Sequence, residues 1–170
     1  MKQLNLEKPH LFILAGIPGA GKTYFADHFS KTYSLPVISN THTSQLLFDK
    51  PDFSDDEQAI VRRINIAELE QLLKTKCNII YDGFSDTRVS RYEISKLATH
   101  AGYIPLVIWL QTDLASANRR AISSSMSHEQ FERYVRKFTA PNDKEKHIVI
   151  SGKHLASNQT RNIINKLNKI

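Results

Sequence analysis

The feature that constrains this chain most is a short apolar run that passes directly into a glycine-rich loop. His10–Ala15 has the length and composition of a buried strand. The loop after it has the sequence Gly16-Ile17-Pro18-Gly19-Ala20-Gly21-Lys22-Thr23. Its glycines let backbone N–H groups turn toward one point without an intervening Cβ. A helix that begins near Lys22 directs its positive end to the same point, so the loop is a predicted phosphate-binding site.

The pair Lys22-Thr23 makes this prediction specific, because it completes the Walker A pattern G-x-x-x-x-G-K-T. A strand–helix turn without a ligand would explain the glycines but not the lysine and the threonine. Lys22 supplies a mobile positive charge for the β- and γ-phosphates, and the Thr23 hydroxyl can ligate Mg²⁺. A dinucleotide-binding loop is disfavoured, because the glycines are spaced GxxGxG and no acidic residue ends the second strand. The residues expected to bind ATP are Gly16, Pro18, Gly19, Ala20, Gly21, Lys22 and Thr23.

The rest of the chain alternates short apolar runs with longer amphipathic stretches. Further strands are predicted at residues 35–39, 78–81, 103–110 and 147–150. Helices are predicted at residues 22–31, 86–100, 113–122 and 156–168, and after the capping boxes at Ser54 and Ser127. The pattern predicts an α/β fold with three layers, in which a five-stranded parallel sheet has helices on both faces. With 170 residues, we expect one domain.

Ligands of such sheets bind beyond the carboxyl ends of the strands, and an acidic residue lies at one of these ends. Asp82 closes the third predicted strand, where its carboxylate can hold Mg²⁺ through water or orient a substrate hydroxyl. The alternative is an aspartate that only caps the turn after the strand. The predicted metal-binding residues are therefore Thr23 and Asp82.

Two pairs of arginines are further candidates. Arg88 and Arg91 lie three residues apart on a predicted helix, where they either bind an anionic acceptor or pair at the surface with Glu93 or Asp86. Arg119 and Arg120 lie on the helix after the fourth strand, whose predicted core stripe is Leu114, Ala117 and Ala121. Either they supply positive charge to a transferred phosphoryl group or they are a solvated pair. The predicted catalytic set is Lys22, Asp82, Arg119 and Arg120.

A serine-rich stretch at residues 122–128 has no large core residue except Met126. It is predicted to be a mobile loop and a short lid over the site. Its serines are Ser123, Ser124, Ser125 and Ser127. Tyr24 and Asp27, on the first helix, are predicted to be surface or packing residues.

Composition limits the other functions. No apolar run approaches the ~20 residues that span a bilayer, the N-terminal residues lack the pattern of a secretory signal, and Cys77 is the single cysteine. We therefore expect a cytoplasmic protein without membrane contact. The net charge of +6 comes from residues 131–170, with 9 basic and 3 acidic side chains. A nucleic-acid partner is one interpretation of this excess, and a solvated helix surface is the other.

Together these residues resemble the small P-loop kinases of the nucleoside-monophosphate-kinase-like group, and especially the compact ATP-binding "AAA domain" proteins related to polynucleotide kinases and zeta toxins. The shared features are residues 11–23, residues 79–82 followed by Arg88, and residues 107–110 leading to Arg119, with weaker likeness at Phe138 and Pro141. The resemblance implies an ATP-dependent phosphotransferase in which Lys22, Thr23, Asp82 and Arg119 have the roles described above.

Two positions depart from that group. Relatives often carry an aspartate just after the second strand, where it accepts the proton of the acceptor hydroxyl, but this chain has Asn40. His42, Asp49 or Asp82 could replace it. The residues expected near the acceptor are Asn40, His42, Arg88 and Arg91. Relatives also often have a second lid arginine four residues after the first, where this chain has Ser123. Candidates to compensate are Arg120, Arg133 and Arg136.

The sequence leaves two functions open. The first is a kinase that transfers the γ-phosphoryl group of ATP to a hydroxyl of an unidentified small-molecule or nucleic-acid acceptor. The second is an ATPase or nucleotide-dependent switch without an acceptor, which is suggested by Asn40 at the expected base position.

Overall fold

A computed structural model describes residues 3–52, 54–124 and 126–167, in which five strands alternate with seven helices. The strands are β1 (His10–Ala15), β2 (Val37–Ser39), β3 (Ile79–Asp82), β4 (Ile104–Gln111) and β5 (His147–Ser151). The helices are α1 (Lys22–Tyr33), α2 (Asn40–Leu47), α3 (Asp55–Lys74), α4 (Arg88–His100), α5 (Leu114–Ser123), α6 (His128–Lys137) and α7 (Ala156–Leu167). Residue 168, where the last helix was predicted to end, lies outside the described residues. No described helix combines the length and the apolar character needed to cross a membrane.

The five strands form one parallel sheet with the order β2-β3-β1-β4-β5, which confirms the predicted fold class. β1 is central and buried at every position. Because successive side chains of a strand point to opposite faces, Phe12 and Leu14 pack in one cluster with residues of α1 and α7. Leu11 and Ile13 pack in a second cluster with residues of α3 and α4. The two apolar layers fix β1, and therefore the start of the loop after it.

Register brings the polar strand ends to one edge of the sheet. Ser39 is paired with Asp82, and Gln111 with Ser151. Gly16 comes directly after β1, between these two pairs. The loops after all five strands therefore meet at this edge, as the parallel arrangement predicts.

The structure changes several helix predictions. α2 was not predicted, because its sequence NTHTSQLL is poor in apolar and helix-favouring residues. The Ser39 hydroxyl caps it by accepting a hydrogen bond from the backbone N–H of His42. Leu114 was wrongly placed in the core stripe of α5; it is 58% exposed, because it is the first residue of the helix and only Ala117 and Ala121 pack inward.

Both predicted cap serines start helices. At Ser127 the reciprocal capping box forms with Gln130. At Ser54 the hydroxyl accepts from the N–H of Glu57 at 3.3 Å, and the Ser54 N–H donates to the carboxylate of Asp52. The carboxylate of Glu57 in turn accepts from the N–H of Asp52.

The buried side of α4 carries an ion pair that ties it to the segment before β5. Arg91 is fully buried; its Nε and Nη2 donate to the two carboxylate oxygens of Glu145 at 2.6 and 3.0 Å. Its Nη1 donates to the carbonyl of Ser85 at 2.9 Å. A buried arginine that is satisfied on both sides of its guanidinium fixes these segments against each other. Glu93, the sequence-based partner, pairs instead with Arg62 at the surface.

Removal of the charge on Glu145 is predicted to destabilise the fold. In Glu145→Gln the buried guanidinium of Arg91 loses its counter-charge, so we expect the free energy of unfolding to fall by about 3 kcal/mol. The matched control is Glu93→Gln, which breaks the exposed pair with Arg62 and should cost less than about 1 kcal/mol. Urea denaturation of the three proteins measures both values. Equal losses in the two variants would contradict the structural role of the buried pair.

Candidate functional site

The loop between β1 and α1 has the backbone geometry that anion binding requires. Gly21, the N-cap residue of α1, has φ 97°, and no side chain caps the first turn of this helix. Gly19 has φ +74°, and a Cβ there would lie 2.1 Å from the carbonyl oxygen of Ala117. The left-handed backbone and the close approach of α5 explain why these positions hold glycine. The uncapped N-terminus of α1 directs its partial positive charge at the loop.

Lys22 lies across this loop. Its Nζ donates to the carbonyl oxygen of Gly16 at 2.7 Å and to that of Ile17 at 3.2 Å. The ammonium group is therefore held at the mouth of the loop, where a phosphate chain would meet it. An ammonium on a flexible stem can exchange these carbonyls for phosphate oxygens at little cost.

Thr23 and Asp82 lie together beside the loop, although 59 residues separate them in sequence. The Thr23 hydroxyl donates to Oδ2 of Asp82 at 2.6 Å. Asp82 ends β3, the strand next to β1, and is only 6% exposed. Mg²⁺ prefers oxygen ligands of this kind, so the Thr23 hydroxyl and the Asp82 carboxylate could hold the ion. The described residues contain no cluster of three or more His, Cys, Asp or Glu side chains.

The electrostatics of Asp82 also fit a cation. Burial raises the pKa of its carboxyl, and Asp27 and Asp86 raise it further, whereas Lys22 and the hydrogen bond from Thr23 lower it. The raised pKa means that the ionised form is under-compensated in the ligand-free protein. A divalent cation next to the carboxylate would remove that deficit.

A cavity of about 480 Å³ opens in front of the loop. Among its described lining residues, the phosphate-binding side includes Pro18, Gly19, Gly21, Lys22, Thr23, Asp82 and Arg120. Its remaining lining residues are Tyr24, Asn40, Thr41, Ser44, Gln58, Gly83, Phe84, Asp86, Ala121, Ser124, Met126 and Tyr134. The cavity therefore extends beyond the phosphate-binding loop toward α2, α3 and α6.

The structure separates the two arginines of α5. Arg120 lines the cavity, and its Nη1 donates to the carbonyl of Gly152 at 3.0 Å and lies 3.5 Å from that of Gly19. Arg119 is exposed and does not line the cavity. Arg133 and Arg136 are also exposed on α6, outside the lining. Arg120 is thus the α5 arginine next to the phosphate loop.

Arg88 and Arg91 are not brought into the cavity. Arg88 is exposed, and its backbone N–H donates to the Thr139 hydroxyl at 2.8 Å. Arg91 is buried by its pair with Glu145. The two arginines were predicted to share one face of the helix, but one is exposed and the other is buried. Positions three apart on a helix differ by about 60° in direction, which is enough to bury one side chain and expose the other.

Asn40 lines the cavity and is the first residue of α2. A hydrogen bond from Asn65 fixes its side chain. Its Oδ1 accepts from Nδ2 of Asn65 at 2.7 Å, and Oδ1 of Asn65 accepts from the Thr43 hydroxyl at 2.6 Å. His42 and Asp49 are exposed and outside the lining. Of the three proposed replacements for a base, only Asp82 lines the cavity.

One carboxylate and three aromatic residues of this cavity were not predicted from the sequence, and they are Asp86, Tyr24, Phe84 and Tyr134. Asp86 lies four residues after Asp82 in the loop that leaves β3, and its backbone carbonyl accepts from the N–H of Thr139 at 2.8 Å. The proximity of two acidic residues after one strand was a usable signal for Asp86. Tyr24 was predicted to be a surface or packing residue; it is exposed and also lines the cavity. Phe84 follows β3 and Tyr134 comes from α6, so only tertiary packing brings these two together. Of the predicted lid, Ser124 and Met126 line the cavity and Ser125 lies outside the described residues.

The fold and the loop together define a class. The parallel sheet has the strand order β2-β3-β1-β4-β5, and a Gly-x-x-x-x-Gly-Lys-Thr loop follows its central strand. A protein with these two features is a small P-loop kinase-like protein. A family profile then narrows the class, since the profile described as "Chromatin associated protein KTI12" matches residues 10–148. The chain belongs to the KTI12 family.

Solved structures agree with this fold. The APS kinase CysC of Mycobacterium tuberculosis, in complex with AMPPNP and APS, is similar with a TM-score of 0.71 and 15% identity, over 96% of this chain and 99% of that one. Kti12 of Chaetomium thermophilum, in complex with ADP-AlF3, has a TM-score of 0.70 and 18% identity, over 94% and 97%. A gluconokinase from Sinorhizobium meliloti gives 0.70 and 11%, over 95% and 93%. No curated protein sequence matches this chain significantly.

The raised pKa of Asp82 predicts how stability depends on pH. Folding makes this carboxyl bind its proton more tightly, so stability falls as pH rises from about 4 through the raised pKa. Asp82→Asn removes that penalty and should raise the melting temperature at pH 7, measured without nucleotide or Mg²⁺, with a smaller gain near pH 4. Thermal unfolding at the two pH values measures the effect. A variant that is destabilised at pH 7, or a gain that grows in acid, would refute this account of the carboxyl.

Proposed function

We propose that this protein binds MgATP in the cavity and transfers the γ-phosphoryl group to a hydroxyl of an acceptor that occupies the part lined by α2, α3 and α6. The observation that carries the proposal is the contact of Thr23 with the buried Asp82 beside Lys22 at the phosphate loop. These are the groups that a magnesium nucleotide requires. The fold likeness to a kinase solved with AMPPNP and to a Kti12 solved with ADP-AlF3 supports the nucleotide.

In this proposal Lys22 binds the β- and γ-phosphates, and Thr23 and Asp82 hold Mg²⁺, which neutralises charge on the phosphate oxygens. Arg120 reaches the γ-phosphate from the side of Gly19, which its guanidinium already approaches. Asp86 takes the proton of the acceptor hydroxyl. Its support is that it lines the cavity, whereas the Asn40 amide cannot accept a proton and is bonded to Asn65. The loop that holds Asp86 is fixed by the hydrogen bonds from Arg91 to Ser85 and from Thr139 to Asp86.

The second candidate is an ATPase or nucleotide-dependent switch, in which water takes the place of the hydroxyl. It is favoured by Asn40, because the position where related kinases often have a base is here an amide in a hydrogen-bonded network with Asn65 and Thr43. The same residues would bind MgATP in both cases. The two candidates differ only in where the phosphoryl group goes.

Labelled ATP separates the candidates. The protein is incubated with γ-labelled ATP, Mg²⁺ and a panel of nucleosides, oligonucleotides and sugars, and the label is traced by chromatography. Label in an acceptor supports the kinase. Label that appears only as free phosphate, at a rate no acceptor changes, contradicts the kinase and supports the ATPase.

Asp86→Asn is predicted to lower kcat by about 10²–10⁴-fold with little change in ATP affinity, since the amide cannot accept a proton. Asp49→Asn is the matched control, because Asp49 is exposed and outside the cavity; its kcat should stay within about twofold of the wild type. Steady-state kinetics on the three proteins decide this. The role of Asp86 would be disproved by full activity of Asp86→Asn.

A further inference from the structure

The positive charges of the cavity are concentrated at its phosphate-binding side. Among the described lining residues the cations are Lys22 and Arg120. Lys22 is bonded to carbonyls of the loop, and Arg120 to the carbonyl of Gly152. In the function proposed above, both of these side chains bind the nucleotide phosphates. No lining cation among the residues described is left for a second anion.

The arginines that could have received an anionic acceptor lie elsewhere. Arg91 is buried, and its Nε and Nη2 both donate to the carboxylate of Glu145. Arg62 is outside the lining and pairs with Glu93 at 2.8 Å. Arg88 is exposed and likewise outside the lining. An acceptor with its own phosphate or sulfate group would find no guanidinium there.

The remaining ionised group on the acceptor side is negative. Asp86 lines the cavity, and its charge, with that of Asp27, acts on Asp82. With Asp82 engaged by Mg²⁺, Asp86 is the acidic side chain that remains among the described lining residues. Like charges within a few ångströms in a partly buried site repel strongly, so an anionic acceptor is disfavoured there.

The acceptor side also has flat apolar surfaces with polar groups between them. Phe84 and Tyr134 contribute aromatic rings, and Met126 a thioether. The guanidinium carbon of Arg62 lies 5.9 Å from the centre of the Phe84 ring, and the salt bridge to Glu93 holds that guanidinium in place. The Phe84 ring therefore has the Arg62 guanidinium next to it. Aromatic surfaces of this kind bind planar rings by offset stacking.

Amides and hydroxyls line the same part of the cavity. They come from Asn40, Thr41, Ser44 and Gln58. Such groups can both donate and accept hydrogen bonds, so they match the edges of a heterocycle and the hydroxyls of a sugar. Neutral polar groups around aromatic surfaces select for shape and hydrogen bonding rather than for charge.

We infer that the acceptor is an uncharged, hydroxyl-bearing molecule with a planar heterocyclic ring, of the nucleoside type, and not a phosphate ester. The inference rests on the proposed phosphoryl transfer. In that step the bond between the γ-phosphorus and the β–γ bridging oxygen breaks, a bond from the acceptor oxygen to the γ-phosphorus forms, and ADP leaves. The hydroxyl proton goes to the Asp86 carboxylate. The product is a dianionic phosphate ester, and the described lining residues offer it no cation besides Lys22 and Arg120.

The test measures binding rather than turnover. The full chain is saturated with Mg·AMPPNP and titrated with the four ribonucleosides and their 5′-monophosphates, with the dissociation constants taken from ligand-observed NMR. At least one nucleoside should bind about 10-fold or more tightly than its monophosphate. In Asp86→Asn this preference should shrink at least about threefold. Monophosphates that bind as tightly as nucleosides, or no nucleoside binding at all, would overturn the inference.

Variants of Phe84 test the ring platform. Phe84→Ala should weaken the nucleoside at least about 10-fold while AMPPNP affinity stays within about twofold, and Phe84→Tyr should retain nucleoside binding. Unchanged nucleoside affinity in Phe84→Ala would contradict stacking. The AMPPNP titration distinguishes failure of the proposed function from failure of the inference about the acceptor. Failure to bind AMPPNP overturns the proposed function and the inference together, whereas normal AMPPNP binding with reversed ligand preference overturns the inference alone.

Discussion

The hydrogen bond from Thr23 to Asp82 is the interaction on which the organisation of this site depends. It joins the first turn of α1 to the end of β3 across the phosphate loop. The carboxylate that accepts it is almost fully buried, and burial raises its pKa. A charge kept in such a place costs stability unless a cation compensates it. The fold carries that cost where Mg²⁺ and the phosphates of a nucleotide would relieve it.

Two layers of apolar packing hold this arrangement in place. Alternate residues of β1 enter the cluster with α1 and the cluster with α4, so the strand that leads into the phosphate loop is fixed on both faces. The buried pair of Arg91 with Glu145 and the hydrogen bond from Arg91 to Ser85 fix the loop after β3 in the same way. The acidic residues of that loop thus belong to a rigid frame. Arg91 was a candidate for binding the acceptor, but its contacts with Glu145 and Ser85 give it a structural role.

Local patterns were enough to predict the sheet and the phosphate loop. The apolar runs specify five buried strands, and the Walker A spacing specifies the loop after β1, because both depend on residues close together in sequence. The other wall of the cavity could not be predicted this way. α2 has no apolar periodicity, and Gln58, Phe84 and Tyr134 come together only because α3, the loop after β3 and α6 pack around one edge. For the same reason Arg119 and Arg120 were indistinguishable in sequence, while packing of α5 directs only Arg120 to the loop.

Nucleotide binding by this protein depends, in the function proposed here, on Lys22 in the loop at residues 16–23. Isothermal titration of Mg·AMPPNP into the wild type and Lys22→Ala tests it most directly, with circular dichroism and thermal unfolding to verify the fold. We expect measurable binding by the wild type, at least about 100-fold weaker binding by the variant, and an unchanged fold, because Lys22 contacts loop carbonyls at the cavity rather than the core. Equal affinity in the two proteins would show that Lys22 does not bind the nucleotide.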